Sequence, residues 1–276
     1  MVRSPIGRFA ANARLVWRWV RRAPAARIDV PRLAGVVAVA VMLIVVEGLI
    51  LDAAVARRSD TLPEAVTAFF QFLTRYGSSD WLLVPSAVVA LVLLFGDWRR
   101  PARAVAAAWT EIGAYAATFF VAIALPGIVA DLIKLLVGRV RPNAVVDGDV
   151  AFAPLTLGYA YHSFPSGHAN TMAALAVVMV ATLGARSLPI VFAAMLVAVS
   201  RMAIGAHYLS DVVAGILLGG ALAWLVVRTA AGAGFGFAVR PSGAIAPRLD
   251  AARGVLARPA GVRRMFAGLG AALAWR

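Results

Sequence analysis

The chain returns repeatedly to stretches that are almost wholly apolar, and nothing else in it limits the possible folds so sharply. A bilayer core of about 30 Å is crossed by roughly 20 apolar residues in a helix, because inside lipid every backbone N–H and C=O must be satisfied within the segment. Six stretches are expected to cross: 33–51, 81–95, 112–133, 169–183, 189–200 with its continuation toward 204, and 210–227. Of the 276 residues, 62% are hydrophobic and 14% charged, which excludes an ordinary soluble domain. The expected fold is all-α, a polytopic six-helix membrane bundle over residues 33–228. A basic segment, 1–32, precedes it, and a Gly-rich connector with a basic tail, 229–276, follows.

Charge sets the expected orientation. The formal net charge is +14, from 27 Lys+Arg against 13 Asp+Glu. Arginine is dense before the first span (Arg3, Arg8, Arg14, Arg18, Arg21, Arg22, Arg27, Arg32), between the second and third (Arg99, Arg100, Arg103), and after the sixth. By the positive-inside bias both termini are cytoplasmic. Arginines that flank apolar spans point to anionic lipid head groups as partners, not to nucleic acid. Arg14, Arg18, Arg21 and Arg22 share a helical face, so the N-terminal segment reads as an interfacial helix or as a disordered basic tail. It does not read as a cleavable leader. The absence of cysteine excludes disulfides and a thiolate nucleophile.

Three short polar motifs interrupt the apolar sequence between residues 134 and 211. They are Lys134-Leu-Leu-Val-Gly-Arg-Val-Arg141-Pro142, then Pro165-Ser166-Gly167-His168, then Ser200-Arg201 followed by His207 and Asp211. In the expected topology all three lie on the extracytoplasmic face. Lys134 is the only lysine in the chain. A compact ammonium with two planar guanidinium forks, Arg141 and Arg201, makes a mixed clamp for a phosphoryl group. Ser166 is placed to cap the helix that follows it, leaving amides near Gly167 as an anion nest. His207 and Asp211, spaced i, i+4, let the carboxylate accept from one ring nitrogen and leave the other free to attack phosphorus. His168 is then the candidate to protonate the leaving oxygen and later to activate water.

These motifs resemble the signature of the type 2 phosphatidic acid phosphatase/haloperoxidase superfamily: Lys-x6-Arg-Pro, Pro-Ser-Gly-His and Ser-Arg-x5-His-x3-Asp, with every fixed position filled. The resemblance implies the same division of labour: catalysis by His207, His168 and Asp211, and phosphate binding by Lys134, Arg141, Ser166, Gly167 and Arg201. It also implies no cofactor and no metal, the cations standing where magnesium stands in other phosphoryl-transfer sites. The expected activity is hydrolysis, through a phosphohistidine, of a lipid phosphomonoester or pyrophosphate such as phosphatidate, phosphatidylglycerophosphate, undecaprenyl pyrophosphate or lipid A phosphate. Phosphoryl transfer to another acceptor, vanadate-dependent haloperoxidase chemistry, and a non-enzymatic anionic-lipid scaffold are the alternatives. Arg139 sits beside the first motif, with Val140 where many members have proline, and is assigned no role.

Four further expectations concern the surroundings. Glu47 is expected near the interface in a structural role, Asp131 to pair with Lys134, and His162 to be a loop residue. Because 104–137 would reach roughly 50 Å as a helix, part of it is expected to lie outside the lipid.

Overall fold

A computed structural model describes residues 4–21, 30–59, 61–145 and 151–274. Its helices are α1 (Pro5–Arg21), α2 (Val30–Ile50), α3 (Asp52–Ser59), α4 (Glu64–Thr74), α5 (Asp80–Phe95), α6 (Arg103–Val137), α7 (Gly167–Leu183), α8 (Leu188–Ala203) and α9 (Leu209–Ala233). A small antiparallel hairpin, β1 (Phe237–Val239) and β2 (Ile245–Pro247), leads into α10 (Asp250–Leu256) and α11 (Gly261–Leu273). The protein is thus a mostly helical, multi-pass membrane protein, with one short hairpin among the described residues.

Among the described residues five continuous stretches are long and apolar enough to cross a membrane: Pro31–Ile50, Glu64–Phe95, Arg103–Val137, Gly167–Ala203 and Leu209–Ala233. Gly167–Ala203 contains both α7 and α8, which are divided by a 3-10 turn at Gly184–Ser187 and pack against each other. Counted separately they are the fourth and fifth expected spans. Pro189 falls in the first turn of α8, where its missing N–H costs nothing.

By its contacts the chain divides into two compact units. The first comprises residues 1–26, 81–121 and 225–276. In it α1 displays Arg14, Arg18 and Arg21 to solvent, and the Arg21 guanidinium lies over the Trp17 ring. Arg3, Arg22, Arg27 and Arg276 lie outside the described residues. Asn12 Nδ2 donates to the carbonyls of Leu93, Leu94 and Gly96, which moors α1 to the end of α5.

The excess length of α6 has a physical account within this unit. Val105 and Ala108 in its first turns pack with Ala252, Val255 and Met265 of α10 and α11. Trp109 Nε1 donates to the Met265 carbonyl, and Glu111 Oε2 accepts the N–H groups of Ala251 and Ala252, capping α10. The C-terminal region is therefore folded, and α9 runs past residue 228 to Ala233.

The second unit comprises residues 27–80 and 122–224 and holds all three motifs. In it α8 packs against α7, α4 and α3. None of the most apolar window of α2 is buried by protein, as suits a helix whose solvent is lipid. One carboxylate oxygen of Glu47, near the end of α2, is shut away without a hydrogen-bond partner, and nothing in the structure explains it.

Candidate active site

Lys134, Ser166, Gly167, His168, Arg201 and Asp211 stand at helix ends, and Arg141 and His207 in the turns beside them. Lys134 lies in the last turn of α6, where its Nζ pairs with Asp131 Oδ1 at 2.7 Å, and a Cβ built on Gly167 would stand 3.0 Å from that same Nζ. The first and second motifs therefore meet. Ser166 is the N-cap of α7 and its Oγ accepts from the Ala169 N–H. Helix geometry leaves the opening amides of α7 without intrahelical acceptors, and the positive end of its dipole is there.

His168, half-buried in that first turn, lies within electrostatic reach of Arg201, His207, Lys134 and Arg141. Its ring is packed against Gly77, where any Cβ would overlap the imidazole, so glycine is needed for the approach. Arg201 ends α8 and is 6% exposed; its NH1 donates to Thr74 Oγ1 at 2.7 Å, while its Nε is buried with no partner.

The chain then turns sharply through Gly205, at φ +64, a conformation in which a side chain is strained. The Arg201 carbonyl accepts from both Ala206 and His207 N–H, which seals the end of α8 and fixes where His207 starts.

His207 precedes α9 instead of standing on it, so its link to Asp211 is not made along a helical face as the i, i+4 spacing suggests. Asp211 sits at the third position of α9, and its Oδ2 reaches back to the Tyr208 N–H at 2.9 Å, the reciprocal half of a capping box. That turn brings His207 Nδ1 to 3.6 Å from Asp211 Oδ2. Arg141 NH1 lies 3.1 Å from His207 Nε2. A guanidinium only donates, so Nε2 is the accepting nitrogen and the ring proton is on Nδ1, facing the carboxylate.

Burial pushes the His207 pKa down to about 4, against the pull of Asp211 and with help from Arg141, so the imidazole is neutral at physiological pH. Arg141 is itself held by the carbonyls of Tyr159, Ala206 and His162 and stacks on the Tyr159 ring, 4.0 Å from its centroid. His162 Nε2 contacts the Thr156 carbonyl and takes no part in the cluster.

Three residues join the site that no motif announced. Arg139, 8% exposed, donates from NH1 to Asp211 Oδ1 and from NH2 to Asp52 Oδ2, each at 2.7 Å. Burial works against its charge, but Asp211 and Asp52 outweigh that and hold its pKa above the ordinary value. Asp52, at the start of α3, also accepts from Ser210 N and Ser210 Oγ. Ser163 Oγ donates to Asp211 Oδ2 at 2.5 Å. Among these, only Arg139 carried a sequence signal, as a second arginine beside the first motif.

A cluster of buried cations against a neutral histidine backed by a carboxylate can hold an oxyanion such as a phosphoryl group and present a nitrogen lone pair beside it. The PAP2 superfamily model matches residues 115–234. A lipid A 1-phosphatase of Rhizobium etli is 33% identical over 187 residues, covering 66% of this chain and 78% of that protein. A lipid A 1-phosphatase of Rhizobium johnstonii is 32% identical over 209 residues, covering 72% and 82%. An undecaprenyl-diphosphatase of Sulfolobus acidocaldarius is 29% identical over 164 residues, covering 57% and 67%. The crystal structure of a transmembrane PAP2-type phosphatidylglycerolphosphate phosphatase from Bacillus subtilis aligns over 78% of this chain and 93% of its own, with a TM-score of 0.45 and 21% identity. The chain belongs to the PAP2 superfamily and is a membrane-embedded phosphatase of that type.

Proposed function

We propose that this protein removes a terminal phosphate from a lipid, as monoester or pyrophosphate, through a phosphohistidine on His207. The observation that carries the reading is the arrangement at Arg201 and His207: a buried guanidinium nitrogen without a partner beside a neutral imidazole whose nucleophilic nitrogen is covered by Arg141. A substrate phosphate satisfies Arg201 and draws the Arg141 N–H that covers His207 Nε2 onto its own oxygens, which uncovers Nε2. The Nε2 lone pair then attacks phosphorus and the bond to the lipid oxygen breaks. A ring N–H of His168 gives that oxygen its proton, the phosphate having brought the negative charge that lets His168 carry one among three cations. In the second half, neutral His168 takes a proton from water. The hydroxide so formed displaces Nε2 from phosphorus, and inorganic phosphate leaves. Lys134, Arg141 and Arg201 hold the equatorial oxygens, with the opening amides of α7 at Gly167 and Ser166 as further support, and no step calls for a metal.

The lipid class is suggested by relatives named for lipid A and undecaprenyl diphosphate and by a site set at the ends of spanning helices. Charge bias favours cytoplasmic termini with the site at the extracytoplasmic surface, and the exposed arginines of α1 and of α11 suit anionic head groups on the opposite leaflet. The test is release of phosphate by purified protein in detergent from lipid A, undecaprenyl pyrophosphate and phosphatidate, with trapping of acid-labile, base-stable phosphate on the protein. Turnover with no trapped phosphoenzyme under rapid quench would remove His207 as a covalent nucleophile. For orientation, Ala151→Cys is expected to react with a membrane-impermeant maleimide outside intact cells, and Ala102→Cys only after lysis; the reverse pattern overturns the topology and leaves the chemistry standing.

A further inference from the structure

We infer that Asp52 and Arg139 are positioning residues of this phosphatase, completing a buried relay Asp52–Arg139–Asp211–His207 whose net charge of one negative unit backs the nucleophile. The inference rests on the reading of His207 as the group that attacks phosphorus. The three charged members behind the histidine are nearly sealed from solvent: Asp52 is 2% exposed, Arg139 8% and Asp211 0%. Their contacts are specific at both ends. Arg139 divides its fork, one nitrogen to each carboxylate, and its planar face lies over the Tyr208 ring at 4.0 Å.

The charge count explains why one arginine is shared between two carboxylates. A buried pair of Asp211 and Arg139 alone would be neutral, and a neutral pair does little for a histidine that becomes cationic when Nε2 bonds to phosphorus. Asp52 takes up half of the arginine and returns the group to net −1, so a full counter-charge stands behind Nδ1–H at the moment the imidazole needs it. The orientation follows from the same contacts. Asp211 Oδ1 is fixed by Arg139, which aims Oδ2 at Tyr208 N–H, Ser163 Oγ and the histidine ring. Asp52 is carried by the turn from α2 into α3, so a residue at the foot of the first span reaches the centre of the site. None of the phosphate-binding cations touches Asp52 or Arg139, and this separates their effect from substrate affinity.

The experiment measures kcat, KM and burst-phase phosphoenzyme for Asp52→Asn, Asp52→Glu and Arg139→Lys in full-length protein, with His207→Ala as a reference. Asparagine keeps the size and one accepting oxygen; it removes the charge and turns the second oxygen into a donor, and Asp52→Glu, which keeps both, separates the two effects. Asp52→Asn is expected to lower kcat and the phosphoenzyme burst by about 10- to 100-fold, the scale on which outer partners of a functional histidine act, with KM within about 3-fold. Asp52→Glu is expected to recover part of the loss, and Arg139→Lys, which keeps the charge and loses the fork, to be slow with an unchanged KM. If His207→Ala is inactive while Asp52→Asn and Arg139→Lys match wild type in kcat, the relay is wrong and the phosphohistidine reading stands. If the two variants lose KM and kcat together, their role is to hold the fold, and the inference also fails. An active His207→Ala removes the underlying reading instead. Should Asp52→Asn not accumulate, Arg139→Lys alone decides by the same criterion.

Discussion

Around Asp211 the carboxylate oxygens of Asp52 and Asp211 are taken up by Arg139, Ser163, Ser210 and the Tyr208 and Ser210 amides, and among the described residues Arg139 Nε and His207 Nδ1 are left without a hydrogen-bond partner. Around Arg201 the balance is reversed: the cations Lys134, Arg141 and Arg201 gather with His168, the carboxylate paired with them among the described residues is Asp131, 74% exposed, and Arg201 Nε has no acceptor there. His207 stands between, with Nδ1 toward the first group and Nε2 toward the second. In the first group every carboxylate oxygen has a donor. Among the described residues the second carries more positive than negative charge, which an oxyanion would balance. Stability should therefore reside in one group and affinity in the other, although both are buried to a similar degree.

The contrast is broken most completely where the groups meet. His207→Ala is expected to abolish turnover and phosphoenzyme, by about 10⁴-fold or more, and robust activity in that variant would end the argument for a histidine nucleophile. Arg201→Ala comes next, with a loss of about 10²–10³ in kcat/KM and an unchanged or raised Tm in detergent, since deleting one of several neighbouring cations relieves repulsion. A large fall in Tm would show that this group, too, holds the fold.

Asp211→Ala should do the opposite to stability, costing about 3–5 kcal/mol, because it leaves Arg139 half unpaired in a sealed site. Ser163→Ala should cost about 1 kcal/mol by the same thermal measurement. Inorganic phosphate or vanadate should stabilise wild type by about 2.7 kcal/mol at a hundred times its dissociation constant, and Arg201→Ala should lose that stabilisation where Ser163→Ala keeps it. The smallest effect is expected from excess EDTA, which should leave the rate unchanged; restoration of a chelated, inactive enzyme by Mg²⁺ alone would mean that the cation group is incomplete as described.

The cation group was legible because its members fall in fixed spacing at span ends, where apolar sequence makes any charge conspicuous. The carboxylate group was half legible. Asp211 was visible beside His207, but the i, i+4 spacing suggested a shared helical face, and the contact comes from a capping box that begins one residue after the histidine. Asp52 lies far upstream of the motifs, just past the first apolar stretch, and only the tertiary turn after α2 brings it to Arg139. Ser163 has no pattern at all. The C-terminal region misled for another reason. Its glycines and arginines have the composition of a linker, whereas Glu111 and Trp109 supply the cap and the hydrogen bond that let α10 and α11 settle on the start of α6.

The grip of Arg141 on His207 Nε2 makes the idle enzyme chemically discreet. An exposed neutral imidazole is a target for transition-metal ions, acylating agents and electrophiles generally, all of which need that one lone pair. Here the pair is engaged by an N–H whose guanidinium is anchored to three backbone carbonyls, so a visitor must displace a donor that has nowhere else to go. Only a visitor bearing oxyanions can offer that donor a better acceptor while presenting an electrophilic centre to the nitrogen it releases. With His207 as the proposed nucleophile, selectivity for phosphate over other electrophiles is exercised before any bond is made, by the terms on which Nε2 is unveiled.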